Sequence, residues 1–180
     1  MVYLFLADGF ETVEALACVD ILRRAKIEIA TVGIENKTVI SSQNIKVECD
    51  KTENEIGVLD DVVAVILPGG MPGTLNLEKN STVQEFIDFA AENDILIAAI
   101  CAAPSILGKK GLLKGKKATC YPGFEEYLIG ADYTGKSVEK DGNIITGKGM
   151  GVANNFALEI VSSIKGKSLA DEIKASIQSE

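Results

Sequence analysis

Residues 95–104 read Ile-Leu-Ile-Ala-Ala-Ile-Cys-Ala-Ala-Pro, an apolar run that breaks into small residues at Cys101. A thiol there, followed by a short helical segment from Ser105, would face unpaired backbone N–H groups and the positive end of a helix dipole, which favour a thiolate. Glu14 is the second group that could do chemistry. At helical spacing its neighbours are Ala17, Cys18 and Ile21, so its carboxyl falls on an apolar stripe where burial favours the protonated form. A protonated Glu14 could donate a hydrogen bond to a thiolate. Equally, it could be a first-turn acid that compensates the helix dipole, the role expected of Glu11. The third feature is Leu67-Pro68-Gly69-Gly70-Met71-Pro72-Gly73, where paired glycines let bare backbone approach a ligand. An oxyanion hole would take one N–H from Gly70 and one from Ala102, the residue after the nucleophile. The same glycines would also suit a plain turn that needs positive φ. Cys120, with Tyr121 after it, ends a short strand and could resolve a sulfenic acid formed at Cys101.

These groups need elements to hold them together. Strands are predicted at Val2–Leu6, Ile27–Val32 and Val62–Leu67, and in the run ending at Cys101; helices at Glu11–Ala25, Val83–Ala91, Ala153–Ile164 and Leu169–Ile177. Thr38–Ile40 and Ile45–Val47 form a short hairpin. A second hairpin joins Ser137–Lys140 to Asn143–Thr146 through a type I′ turn at Asp141-Gly142. Such alternation predicts an α/β fold with a mostly parallel central sheet and helices on both faces. Asp8, Gly69-Gly70 and Cys101 all follow strand ends, so they should converge beyond the carboxyl edge of that sheet. Gly147-Lys148-Gly149-Met150-Gly151 lacks the spacing of the phosphate-binding motifs and predicts close backbone packing instead.

Composition excludes several functions. The chain has 180 residues with no histidine, so neither a Ser-His-Asp nor a Cys-His pair can be built, and the usual zinc ligands are missing. A net charge of −8 with interspersed signs argues against a nucleic-acid surface. The length predicts one domain over residues 1–180, able to bury roughly 70% of its unfolded surface without a staple. Cys18, Cys49, Cys101 and Cys120 include no CxxC pair and predict reduced thiols, with Cys18 and Cys49 as packing residues. Met1 runs straight into a strand without a signal-like or membrane-spanning segment, which predicts a cytoplasmic protein. No cofactor or metal is expected.

The segment Ala98–Pro104, Leu67-Pro68-Gly69-Gly70, and Glu14 six residues before Asp20-Ile21-Leu22-Arg23-Arg24 together resemble the ThiJ/PfpI superfamily, and within it the parkinsonism-associated deglycase branch. Similarity extends to Asn76-Leu77, Val138–Gly142 and Phe156–Val161, nearly the whole chain. The resemblance implies a flavodoxin-like three-layer sandwich, a homodimer paired through the first helix, and a cysteine on a strained nucleophile elbow. It assigns Cys101 as nucleophile, Glu14 as its protonated partner, and Gly70 and Ala102 as backbone donors. Activities of the family include glutathione-independent conversion of methylglyoxal to lactate, repair of early glycation adducts, chaperoning and oxidative-stress sensing. The chain departs from the family at two positions. Tyr121 stands where many members have histidine, and a phenol is a poor base at neutral pH. Ala102 stands where the protease branch has histidine, which disfavours peptidase activity.

The expectation is therefore a cysteine-dependent protein of oxidative and carbonyl stress defence, acting on a reactive dicarbonyl such as methylglyoxal through a Cys101 thiolate. The rival is a non-enzymatic redox sensor or chaperone whose Cys101 is oxidised by peroxide to the sulfinic acid.

Overall fold

The computed structural model describes residues 1–57 and 61–179. Eleven strands are described: β1 (Val2–Leu6), β2 (Ile29–Gly33), β3 (Thr38–Ile40), β4 (Lys46–Glu48), β5 (Lys51–Thr52), β6 (Ala64–Leu67), β7 (Leu96–Ile100), β8 (Lys117–Ala118), β9 (Asp132–Tyr133), β10 (Val138–Asp141) and β11 (Ile144–Gly147). The helices are α1 (Thr12–Arg24), α2 (Gly73–Lys79), α3 (Ser81–Glu92), α4 (Pro104–Lys109), α5 (Ala153–Lys165) and α6 (Lys167–Ser176). Seven strands form the main sheet in the order β10-β11-β7-β6-β1-β2-β5. Every pairing in it is parallel except β10 with β11. This is the mixed α/β sandwich that the alternation of the sequence predicts.

Strand alternation sorts the core into two layers. Val2, Leu4 and Leu6 of β1 and Ala98 and Ile100 of β7 pack under α1, α5 and α6. Tyr3 and Phe5 of β1 and Ile97 and Ala99 of β7 point to the other face, under α2, α3 and α4. The central strands are buried on both sides, which is why they read as unbroken apolar runs rather than as alternating ones.

Several boundaries differ from the sequence prediction, each for a local reason. The second strand begins at Ile29 rather than Ile27, because the Ile27 N–H is spent on the Leu22 carbonyl and Lys26 takes φ 53° to close α1. The third predicted strand begins at Ala64, not Val62. The two-residue edge strand β5 and the seven-residue α2 carry too little periodicity to be read from sequence. The second hairpin turns at Gly142-Asn143, one residue later than predicted, since Asp141 pairs with Ile144. Of its two central residues Gly142 takes positive φ, 61°, and Asn143 does not, so it is not the type I′ turn, which needs both. The Asn143 amide donates to the Ile95 carbonyl at 3.0 Å and ties this turn to the start of β7. No helix among the described residues is long and apolar enough to cross a membrane.

Candidate active site

Cys101 follows the last residue of β7 and takes φ 64°. In regular alternation residue 101 would point to the α3/α4 layer with Ile97 and Ala99; the positive φ redirects its side chain against the α1 layer. Left-handed backbone at a non-glycine residue costs roughly 1–2 kcal/mol. Two hydrogen bonds hold it there. The Cys101 N–H donates to the Gly147 carbonyl at 2.9 Å, and the Cys101 carbonyl accepts the Tyr121 N–H at 2.8 Å.

The helix-dipole expectation for Cys101 is corrected by this geometry. Helix α4 begins at Pro104, spans six residues, and is separated from the thiol by a turn. What faces the sulfur is a pair of discrete donors, the backbone N–H groups of Ala102 and Gly70. The chain thus brings together the two donors expected for an anion cradle, from segments that are far apart in sequence.

Glu14 lies on α1 with no exposed surface, beside Ala15 and Cys18. Its Oε2 accepts the Gly69 N–H at 2.8 Å, and its carboxyl lies next to the Cys101 side chain over Gly69. Its Oε1 is buried without a protein partner. Burial pushes the Glu14 carboxyl up to about 7, against the opposing effect of the Gly69 and Cys101 hydrogen bonds; the Glu11 charge adds to the rise. Burial and then the Glu14 charge push the Cys101 thiol up to about 12, opposed by the Ala102 and Gly70 donors. Two negative charges cannot share this volume, so the pair titrates as a unit. Once one proton has left, burial and the charge already present both oppose loss of the second. A thiolate at neutral pH therefore requires that the remaining proton sit on Glu14. The backbone alone does not supply it.

Gly69, which the sequence places at the sheet edge without a role separate from Gly70, has one of its own. An added Cβ there would lie 2.6 Å from the Cys101 Cβ, 2.9 Å from Glu14 Oε2 and 3.1 Å from the Ala102 nitrogen. It is therefore the floor on which all three groups meet. The doubled glycine was the available signal, but only the fold shows that the first glycine carries the Glu14 contact while the second, Gly70 at φ 89°, points its N–H at sulfur.

The remaining predicted residues separate. The Tyr121 ring is half exposed and lies against Gly149, where an added Cβ would be 3.2 Å from Cδ2; its backbone N–H, not its phenol, reaches Cys101. The Cys120 thiol is not placed to resolve Cys101. It is buried in the α3/α4 layer, receives the Phe124 N–H and lies beside Glu125, whereas Cys101 packs on the opposite layer. Burial pushes Cys120 and Cys49 up to about 11, and Cys18 higher still. Gly147 is close-packed, with an added Cβ only 2.9 Å from Ile100 Cγ1. Asp8 at the end of β1 spends its carboxylate on the Ile40 N–H at 2.8 Å. Among the described residues no group of three or more histidine, cysteine, aspartate or glutamate side chains could hold a metal ion.

Comparison with known proteins gives a consistent result. The sequence model of the DJ-1/PfpI family matches residues 1–163. Protein dj-1beta of Drosophila melanogaster is 36% identical over 172 residues, covering 93% of this chain and 91% of that protein. The Parkinson disease protein 7 homolog of Danio rerio is 34% identical over 174 residues, covering 94% and 92%. Among solved structures, a DJ-1 superfamily protein from Salmonella typhimurium superposes with a TM-score of 0.93 at 34% identity, covering 99% of this chain and 98% of that one. Oxidized Toxoplasma gondii DJ-1 superposes with a TM-score of 0.93 at 29% identity, covering 99% and 97%.

Proposed function

The chain belongs to the DJ-1/PfpI family, and from that premise we propose that it defends against reactive carbonyl compounds, converting a small dicarbonyl such as methylglyoxal to its hydroxy acid through Cys101. The observation that carries this reading is the elbow itself. A thiol at φ 64° is set between two backbone donors and a buried carboxyl that shares its proton. The thiolate adds to the aldehyde carbon, and the alkoxide formed between the Ala102 and Gly70 N–H groups takes the proton held by Glu14. Glu14, now a carboxylate, takes the aldehyde-carbon proton and gives it to the ketone oxygen, forming the enediol. It then takes the hydroxyl proton of the sulfur-bearing carbon and delivers it to the neighbouring carbon, which leaves a thioester on Cys101. Water cleaves the thioester, releasing lactate and restoring the thiol. The sum is methylglyoxal plus water to lactate, with no external oxidant or reductant. The reading includes a cytoplasmic homodimer that pairs through α1.

Steady formation of lactate from methylglyoxal by the fully reduced protein, lost on Cys101→Ala, is the expected result. It is measured by chiral chromatography of product against time. Lactate formation by Cys101→Ala at the wild-type rate would overturn the assignment.

One observation favours a second reading, a redox sensor. The Glu14 carboxyl next to Cys101 keeps one oxygen, Oε1, buried without a hydrogen-bond partner, so it has capacity to bond an oxygen added to the sulfur. Peroxide would convert the thiolate to the sulfenic and then the sulfinic acid, one peroxide oxygen entering at each step. Intact-mass spectrometry after mild peroxide treatment should then show two added oxygens at Cys101 alone. Equal oxidation of Cys18, Cys49, Cys101 and Cys120 would rule this reading out. A Toxoplasma gondii relative has been solved in an oxidized state.

A further inference from the structure

Glu11 looks at first like an ordinary acid at a helix start, but its place and two hydrogen bonds set it beside the reactive pair. It is the N-cap residue of α1, in extended backbone at φ −81° and ψ 118°, three positions ahead of Glu14, the position from which a side chain reaches the first helical turn. Its backbone N–H donates to the Gly69 carbonyl at 2.9 Å, while the Gly69 N–H donates to Glu14 at 2.8 Å. Gly69 is thus clamped between the two glutamates. The Glu11 carboxylate is fixed in turn by the Ser42 hydroxyl, which donates to Oε2 at 3.2 Å.

Ser42 is itself held firmly. It sits in the β3–β4 hairpin, whose turn is built by the Ser41 hydroxyl accepting the N–H groups of Gln43 and Ile45 at 3.3 and 3.2 Å. The hairpin is fastened to the α1 entry by Gly9 N–H to the Ile40 carbonyl at 2.8 Å and by Ser42 N–H to the Phe10 carbonyl at 2.9 Å. This donor therefore belongs to a braced loop and holds the carboxylate in one place.

We propose that Glu11 is a positioning residue for the Cys101–Glu14 pair: its carboxylate, held by Ser42 one helical turn from Glu14, biases the shared proton onto Glu14 and the negative charge onto the Cys101 sulfur. The selectivity comes from placement. Glu11 opens the helix that carries Glu14, shares the Gly69 peptide with it and adds to the rise of its carboxyl, whereas Cys101 stands at the end of β7. A fixed charge that acts on one partner of a proton-sharing pair decides where the proton rests.

The other groups around Glu14 do not supply this bias. Cys18, one turn further along α1, is buried and kept protonated. The 69–73 loop contributes only backbone and uncharged side chains. Asp8 is engaged by the Ile40 N–H, and the charged residues of α5, which packs along α1, are Glu159, facing Lys140 at 4.0 Å, and Lys165 at the helix end.

The inference rests on Cys101 reacting as a thiolate, and the experiment separates the two. The rate of Cys101 alkylation by iodoacetamide is followed by mass spectrometry from pH 5 to 10 in wild type, Glu11→Gln, Glu11→Asp, Ser42→Ala, Glu14→Gln and Glu11→Gln/Glu14→Gln, with thermal melting as a control for folding. Wild type is expected to reach a rate plateau above neutrality. Glu11→Gln should lower that plateau about three- to tenfold without moving its midpoint upward. Ser42→Ala should do so to a smaller degree, and Glu11→Asp should recover part of the rate. In the Glu14→Gln background Glu11→Gln should cause no further loss. A plateau unchanged in folded Glu11→Gln overturns the role of Glu11 and leaves the thiolate reading standing; if Glu11→Gln does not fold, an unchanged plateau in Ser42→Ala does the same. A wild type without any plateau below pH 9 overturns both.

Discussion

Gly69→Ala is expected to abolish most of the reactivity of Cys101 while leaving a folded protein. Gly69 does not occupy the left-handed region, so alanine is compatible with its backbone; the conflict is one of space. The new methyl would sit 2.6 Å from the Cys101 Cβ and 2.9 Å from Glu14 Oε2, distances that force both groups to move. Packed interiors respond to such an insertion with shifts that cost about 1–3 kcal/mol. A displacement on the order of 1 Å at a reacting centre can cost about 100-fold in rate. The same shift would loosen the Gly69 N–H bond to Glu14, so Glu14 and Cys101 are displaced together. The rate constant for Cys101 alkylation at pH 7.5 should therefore fall about 100-fold, with a cooperative melt retained. A rate within threefold of wild type would show that the close approach at Gly69 is not what positions the pair.

Glu14→Gln should remove a pH dependence of stability that wild type carries. The carboxyl rises from 4.5 to about 7 on folding, so between those values the folded state binds more protons than the unfolded one. Stability contributed by the protonated group is then fully present below about 4.5 and declines as pH rises, until it is gone above about 7. This is opposite in sign to a carboxylate stabilised by a salt bridge. The sign also holds whichever atom of the pair gives up the first proton, because the unfolded reference is the free carboxyl in either case. At 1.36 kcal/mol for each pKa unit, the loss is about 3 kcal/mol. Glutamine keeps the shape and cannot ionise, so its stability relative to wild type should improve by about that amount between pH 4.5 and pH 8. Urea denaturation of both proteins at several pH values measures it. Parallel curves would mean that Glu14 ionises in the fold as easily as it does in water.

Parts of the site could be read directly from the residues. Cys101 was marked by the end of an apolar run, Glu14 by its apolar neighbours at helical spacing, and Gly70 and Ala102 by their places after a buried strand and after the thiol. The strand Val2–Leu6 is observed with its predicted bounds because a run buried on both faces is bounded sharply by Asp8 and Gly9. The misses share a physical cause. Helix α2 has seven residues and begins with glycine, and β5 has two, so neither spans enough turns or alternations to leave a period. Cys120 adjoins Tyr121, whose backbone touches the elbow, yet its thiol faces the opposite core layer. Chain proximity could not reveal that.

The sequence by itself determined the alternation that builds a parallel sheet between two helical layers. It determined the chemical types at the sheet edge, and through the absence of histidine it excluded the commonest general base. These are properties of local pattern and composition. The tertiary structure alone decided that Glu14 and Cys101 titrate against each other. The Gly69 N–H reaches Glu14 across 55 positions of chain, and the positive φ of Cys101 turns its sulfur away from the layer that strand parity would choose. Desolvation, which pushes Glu14 and Cys101 in the same direction and makes them share one charge, depends on everything packed around both side chains. Burial of that kind is a sum over distant segments, and no window of sequence contains it.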